Sequence, residues 1–179
     1  MKNIIIVVFG LLFFVSCGKD KKVDTSQKES KKTKVIVPKK EKTTKKESAV
    51  VVDSEGVANV TVTSNDGMRF DVRKIKVTTG QKVRLTLNHS GKLDKKIMGH
   101  NVVILKSGVK ASSFAVKAAS SKSNDYIPEG TTDVIAHTKM IGGGESTMIE
   151  FIAPEKGTYD YICSFPGHFA MMKGKLIVE

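Results

Sequence analysis

The 179-residue sequence has no tryptophan, three tyrosines, eight phenylalanines, four prolines and two cysteines. So few aromatic rings leave little material for a surface on which nucleobases stack. Two cysteines allow one disulfide at most, so the fold must rest on an apolar core, for which 40% hydrophobic residues suffice. No apolar run reaches the roughly twenty residues that a membrane-spanning helix needs; the longest, residues 4–15, has twelve. Acidic residues are also scarce, eighteen against thirty Lys and Arg, for a formal charge of +12. Such a surplus points to an anionic partner only where it lies on a folded surface. Residues 18–48 hold twelve Lys and five acids, for +7; residues 49–179 hold seventeen basic and thirteen acidic residues, for +4; Lys2 adds the last charge. Nucleic-acid binding is therefore not expected, and the length excludes a large multidomain enzyme.

The apolar run after Lys2 reads as an export signal. It ends in Phe14-Val15-Ser16-Cys17-Gly18, a small residue directly before a cysteine. That segment is similar to the lipobox at which bacterial lipoprotein signal peptides are cut and the cysteine is acylated, with Phe14 where Leu is usual. The expected organisation is a signal peptide over residues 1–16, an acylated Cys17 opening a Lys-rich tether over residues 17–52, and a folded domain over residues 53–179. The chain would then sit in the periplasm or cell envelope, lipid-anchored to a membrane, with the outer membrane favoured. An uncleaved anchor, or a plain secretory signal with an incidental cysteine, is the alternative. The tether, almost all Lys, Ser, Thr, Glu and Asp apart from Val35-Ile36-Val37, buries too little surface to offset its chain entropy and is expected to be a solvated spacer.

Beyond it the pattern turns to short β-rich runs. Val83, Leu85 and Leu87 alternate with period two, and residues 57–63, 70–77, 102–105, 133–137, 147–152, 158–163 and 175–178 have strand character, with turn signals at Asn65-Asp66-Gly67 and Thr79-Gly80. Residues 109–123, around Phe114 and Val116, are the one helical candidate. About eight strands and one inserted helix predict an all-β, antiparallel sandwich.

Chemistry concentrates near the end. With Cys17 removed by acylation, Cys163 is a lone thiol in an exported chain. It opens Cys163-Ser164-Phe165-Pro166-Gly167-His168, followed by Met171-Met172. A thiolate, an imidazole and a thioether within ten residues suit copper, whose electron-transfer sites use two His and one Cys with a weak axial Met. Met98-Gly99-His100-Asn101, at the start of an apolar strand, supplies the second imidazole. Spacing alone does not choose between Met171 and Met172.

These segments resemble the azurins, bacterial blue copper proteins of the cupredoxin family. The resemblance covers most of residues 57–179 and includes Leu87-Asn88-His89-Ser90-Gly91 through Asn101, Asp125-Tyr126, Val134 to Lys139, and Cys163 through Gly174. It implies a Greek-key, cupredoxin-like β-sandwich holding one type 1 copper that cycles between Cu(I) and Cu(II), and no reaction on a substrate. By that resemblance His100, Cys163 and His168 bind in the plane, Met172 is the weak axial ligand and the Gly99 carbonyl approaches opposite. Asn101 would tie the Cys163 loop to the His100 strand, and the Phe165 N–H would donate to the thiolate. Met68, Leu93, Ile97, Met98, Phe165, Pro166, Gly167 and Met171 would form an apolar docking patch around His168. Expected partners are redox proteins such as c-type cytochromes, cytochrome c peroxidase or nitrite reductase, met by a monomer. His137 resembles a surface histidine on a possible electron route, and His89 is expected to be partly buried against backbone. Two features depart from the family: Val102 stands where the best-known members carry a buried Trp, and their disulfide is absent. A copper-delivery protein would use the same ligands; a Cys/His/Asn nucleophilic enzyme would need neither the second imidazole nor the methionine.

Overall fold

The computed structural model describes residues 50–179, and the expectations for the signal, Cys17 and most of the tether lie outside them. The chain opens with β1 (Val50–Val52), which pairs antiparallel with β2 (Ala58–Asn65). Sheet pairing thus begins three residues ahead of the Asp53 boundary expected for the domain. After a short return strand, β3 (Arg69–Phe70), the chain crosses to a second sheet as β4 (Lys74–Val77) and comes back as β5 (Lys82–His89), parallel to β2. Then follow a four-residue helix α1 (Lys95–Met98), β6 (Val103–Leu105), α2 (Ala111–Ala118), β7 (Val134–His137), β8 (Ser146–Ile152), β9 (Gly157–Ile162) and β10 (Lys173–Val178). One five-stranded sheet runs β1-β2-β5-β8 with β3 beside β2; the other runs β4-β10-β9-β6-β7.

The alternation that marks β5 is physical: Val83, Leu85 and Leu87 are fully buried while the intervening residues lie outside the core. Run 70–77, read as one strand, divides between sheets. Its apolar positions change phase, from Phe70 and Val72 to Ile75 and Val77, and all four are buried. At the break Asp71 is held to Thr63, its N–H donating to the Thr63 carbonyl (2.9 Å) and its Oδ1 accepting from the Thr63 N–H (2.7 Å). Because β2–β5 and β4–β10 are parallel, the sandwich is mixed and not wholly antiparallel. Crossing between sheets at each step allows this, since parallel neighbours need a long connection.

The expected helix at 109–123 shortens to α2 plus a 3₁₀ turn at Lys122–Asn124. Phe114 and Ala118, one turn apart, are buried, whereas Val116 is 76% exposed. Helix α1 was not anticipated; its signal is Asp94, whose side chain accepts from the Lys96 N–H as an N-cap. Val102 is completely buried, filling with a small side chain the position where a Trp was noted to be missing.

Candidate metal centre

The site forms where the end of β9 meets the segment between α1 and β6. Strand β9 ends at Ile162, and Cys163 follows it directly with no exposed surface. The chain then turns through Gly167, whose φ of 84° a residue with a Cβ rarely adopts, and returns as a 3₁₀ turn over His168–Ala170. Two hydrogen bonds close the loop: the Cys163 N–H donates to the Met172 carbonyl (3.0 Å), and the Met172 N–H to the His168 carbonyl (2.8 Å). From the other side α1 ends at Gly99, and His100 enters through an antiparallel bridge to Ile141.

These elements bring three donors together. Sγ of Cys163 lies 4.0 Å from Nδ1 of His100 and 3.8 Å from Nδ1 of His168, and the three donor atoms lie within 4.8 Å of one another. A first-row ion about 2.0 Å from nitrogen and about 2.3 Å from sulfur sets N and S about 3.7 Å apart in a trigonal plane, and about 3.5 Å apart at a tetrahedral angle. The observed spacings lie nearer the trigonal than the tetrahedral value. One thiolate with two imidazoles in a trigonal arrangement is the donor chemistry of a blue copper centre. The Gly99 carbonyl oxygen lies 3.8 Å from the same sulfur. Met172 is fully buried and Met171 is 38% exposed, which separates two methionines that spacing could not.

Two of the three donor residues, His100 and Cys163, are held from behind. His100 donates from Nε2 to the Asn65 carbonyl (3.0 Å), which leaves Nδ1 free as a lone-pair donor. Its ring stacks on His89 at 4.3 Å between centroids. His89, 2% exposed, accepts the Gly91 N–H at Nδ1 and donates from Nε2 to the Met98 carbonyl, the backbone-bound role expected of it. Asn101 joins the two segments: its Oδ1 accepts the Ser164 N–H (2.9 Å), and its Nδ2 donates to Ser164 Oγ (2.8 Å) and to the Asp125 carbonyl (3.1 Å). The backbone N–H groups of Asn101 and Phe165 lie near enough to the sulfur to favour its thiolate. Burial pushes the Cys163 thiol up to about 12, partly offset by those two N–H groups, so metal must displace a proton to bind. Burial also lowers His100 to about 4 and lowers His168, keeping both imidazoles neutral and able to ligate near pH 7.

His168 is 4% exposed. Its Nε2 has no hydrogen-bond partner, and no unpaired polar side-chain atom among the described residues is sealed from solvent, so that edge reaches the surface. Of the remaining sequence-derived residues, Leu93 and Ile97 are exposed (40% and 64%), as are Pro166 and Gly167, while Met68 and Met98 are half-buried. His137 is exposed at the end of β7. Three contributions escaped the sequence reading: the Asn65 carbonyl behind His100, the Asp125 carbonyl behind Asn101, and a Tyr126–Phe165–His168 ring contact. Asn65-Asp66-Gly67 had been visible only as a turn.

Residues 56–179 match the family model for copper-binding proteins of the plastocyanin/azurin family. The chain belongs to that plastocyanin/azurin family. Azurin-2 of Alcaligenes xylosoxydans xylosoxydans is 44% identical over 120 residues, 65% of this chain and 93% of the relative. The azurin of Alcaligenes faecalis is 38% identical over 122 residues, 66% of this chain and 95% of the relative. Among solved structures, azurin iso-2 of Methylomonas sp. strain J superposes with a TM-score of 0.62 at 37% identity, covering 68% of this chain and 97% of that one. Auracyanin A, a blue copper protein of Chloroflexus aurantiacus, gives 0.64 at 29% identity, covering 69% and 100%. The fold is thus the cupredoxin sandwich expected, and the chain is an azurin-like blue copper electron-transfer protein in which His100, Cys163 and His168 are arranged as a type 1 copper site.

Proposed function

We propose that this azurin-like chain is a periplasmic, lipid-anchored carrier of single electrons that docks redox partners on the apolar surface around His168. Met172 would hold the metal weakly through its thioether, and the Gly99 carbonyl would face it. The observation that carries the reading is a buried thiol and two imidazoles already at trigonal spacing. Bound copper supplies a centre stable as both Cu(I) and Cu(II).

The protein's task is to resist rearrangement between those states. His100 is braced by the Asn65 carbonyl and the His89 ring, and Cys163 by the Asn101 clamp and two backbone N–H groups. Groups set in place beforehand cost no reorganisation when charge changes, which favours fast transfer. The Nε2 edge of His168 offers the exit, ringed by the exposed Leu93, Ile97, Pro166, Gly167 and Met171 and the half-buried Met68 and Met98. Such a patch suits brief encounters with c-type cytochromes, cytochrome c peroxidase or nitrite reductase by a monomer. A second route runs from His100 along the backbone to Val102, whose carbonyl accepts the Thr138 N–H (3.0 Å), and so to His137. The signal over 1–16, acylated Cys17 and the Lys-rich tether ahead of β1 would let the folded domain reach partners from a membrane, the outer membrane for preference.

Adding Cu(II) to the purified chain is expected to give an intense blue thiolate-to-copper absorption, and Cys163→Ser is expected to abolish it. Persistence of the colour in that variant overturns the site. Fast reduction and reoxidation with a c-type cytochrome supports electron transfer; ready handover of copper to an acceptor apoprotein without such exchange replaces it with delivery.

A further inference from the structure

Met68, Asp125 and Tyr126, with φ of 52°, 51° and 57°, are the non-glycine residues of positive φ among the described residues. Left-handed backbone is unfavourable for a residue with a Cβ and persists only where its surroundings hold it, commonly at functional sites. All three lie in loops that touch the metal centre. Met68 closes the turn whose Asn65 carbonyl receives His100, and Asp125-Tyr126 is two such residues in succession.

That pair is tied down on several sides. The Asp125 carbonyl accepts from Asn101 (3.1 Å), its Oδ2 accepts the Met140 N–H (3.1 Å), and the Tyr126 N–H donates to the Ser121 carbonyl (2.9 Å). The Tyr126 ring meets Phe165 edge-on at 5.2 Å, and Phe165 lies against His168 at 4.6 Å, tilted by 35°. Phe165 also backs the metal loop: a Cβ on Gly99 would come within 3.0 Å of its ring. The Tyr126 hydroxyl has no hydrogen-bond partner among the described residues, so whatever this side chain does, its ring does.

We propose that Asp125-Tyr126 is a strained latch and that Tyr126 is a positioning residue which, through Phe165, holds the His168 ring in one orientation and keeps small ligands off the centre. The proposal rests on the copper reading above. Its test compares the copper-loaded full chain with Tyr126→Phe, Tyr126→Asn and Tyr126→Leu. Asn tolerates the left-handed backbone without the ring; Leu keeps apolar volume over Phe165 if the Asn variant does not fold. Two quantities are measured: the free imidazole concentration that perturbs the blue band, and the electron self-exchange rate from NMR line broadening. Tyr126→Phe is expected to match the wild type in both. The ringless variant is expected to respond to about tenfold less imidazole and to exchange about tenfold more slowly, the scale on which groups behind a metal ligand act. In a Phe165→Leu background, Tyr126→Asn should add nothing further. A folded ringless variant that stays within about twofold of wild type in both readouts, or effects that add fully in the Phe165→Leu background, overturns the latch. A wild-type chain that never turns blue instead strikes the copper reading.

Discussion

Replacing Asn101 by Leu removes a hydrogen-bonding side chain of no solvent exposure while keeping the number and branching of its heavy atoms. The structure sets the cost. The Ser164 N–H loses its buried acceptor, which costs about 1–3 kcal/mol. Ser164 Oγ loses a donor but can rotate, and the Asp125 carbonyl is only part-buried, so each contributes about 0.5–1 kcal/mol. A total of about 2–5 kcal/mol is a large share of a typical domain's stability. Ser164 adjoins Cys163 and Asn101 adjoins His100, so the same bonds also set the spacing of two metal donors. If the clamp arranges the site before metal arrives, the variant should bind metal about tenfold more weakly. Stability of the loaded protein should then fall by about 1.4 kcal/mol more than that of the metal-free protein. Urea unfolding with and without Zn(II), a redox-silent occupant, reads both quantities. A metal-free loss below about 1 kcal/mol refutes the hydrogen-bond accounting, and equal losses with and without metal refute pre-arrangement.

Gly174→Ala places a Cβ 2.2 Å from the Tyr161 ring, which cannot withdraw without breaking its hydroxyl's bond to the Val72 carbonyl (2.6 Å). The expected loss is about 2–4 kcal/mol, overpacking plus one hydrogen bond, read as a lower urea midpoint; a change within about 0.5 kcal/mol contradicts the packing. In the metal-free protein, burial holds His100 at about 4 against an ordinary 6.5, so the unfolded chain binds the extra proton between those values. Its contribution to stability is complete above pH 6.5 and is lost as pH falls toward 4, by roughly 3 kcal/mol. Because His168 is lowered too, the difference between wild-type and His100→Gln urea midpoints from pH 7 to 4 measures it, and the same pH profile in both proteins denies His100 the role.

Legibility differed by the range of the interaction. Strand β5 could be read directly, because burying one face of a strand forces period-two alternation on Val83, Leu85 and Leu87. The division of run 70–77 was also present, as a change of phase between Val72 and Ile75, but only the second sheet reveals what that change means. Helix α1 was too short for any period to show, and Val116 belonged to the solvent face of α2 although its type suggests the core.

The chain itself determined the donor chemistry. A thiol, an imidazole and two thioethers fall within ten residues of Cys163, and local spacing keeps them near one another whatever the rest does. Only the tertiary structure decided which methionine lies inward, since consecutive residues point apart and spacing is silent on which faces the site; Met172 is buried and Met171 is exposed. It alone placed His100 beside Cys163, 63 residues away. It also supplied the carbonyls of Asn65 and Asp125 that brace the centre. A backbone carbonyl is the same in every residue, so its use as a brace leaves no trace in sequence and arises only when folding brings it to a ligand.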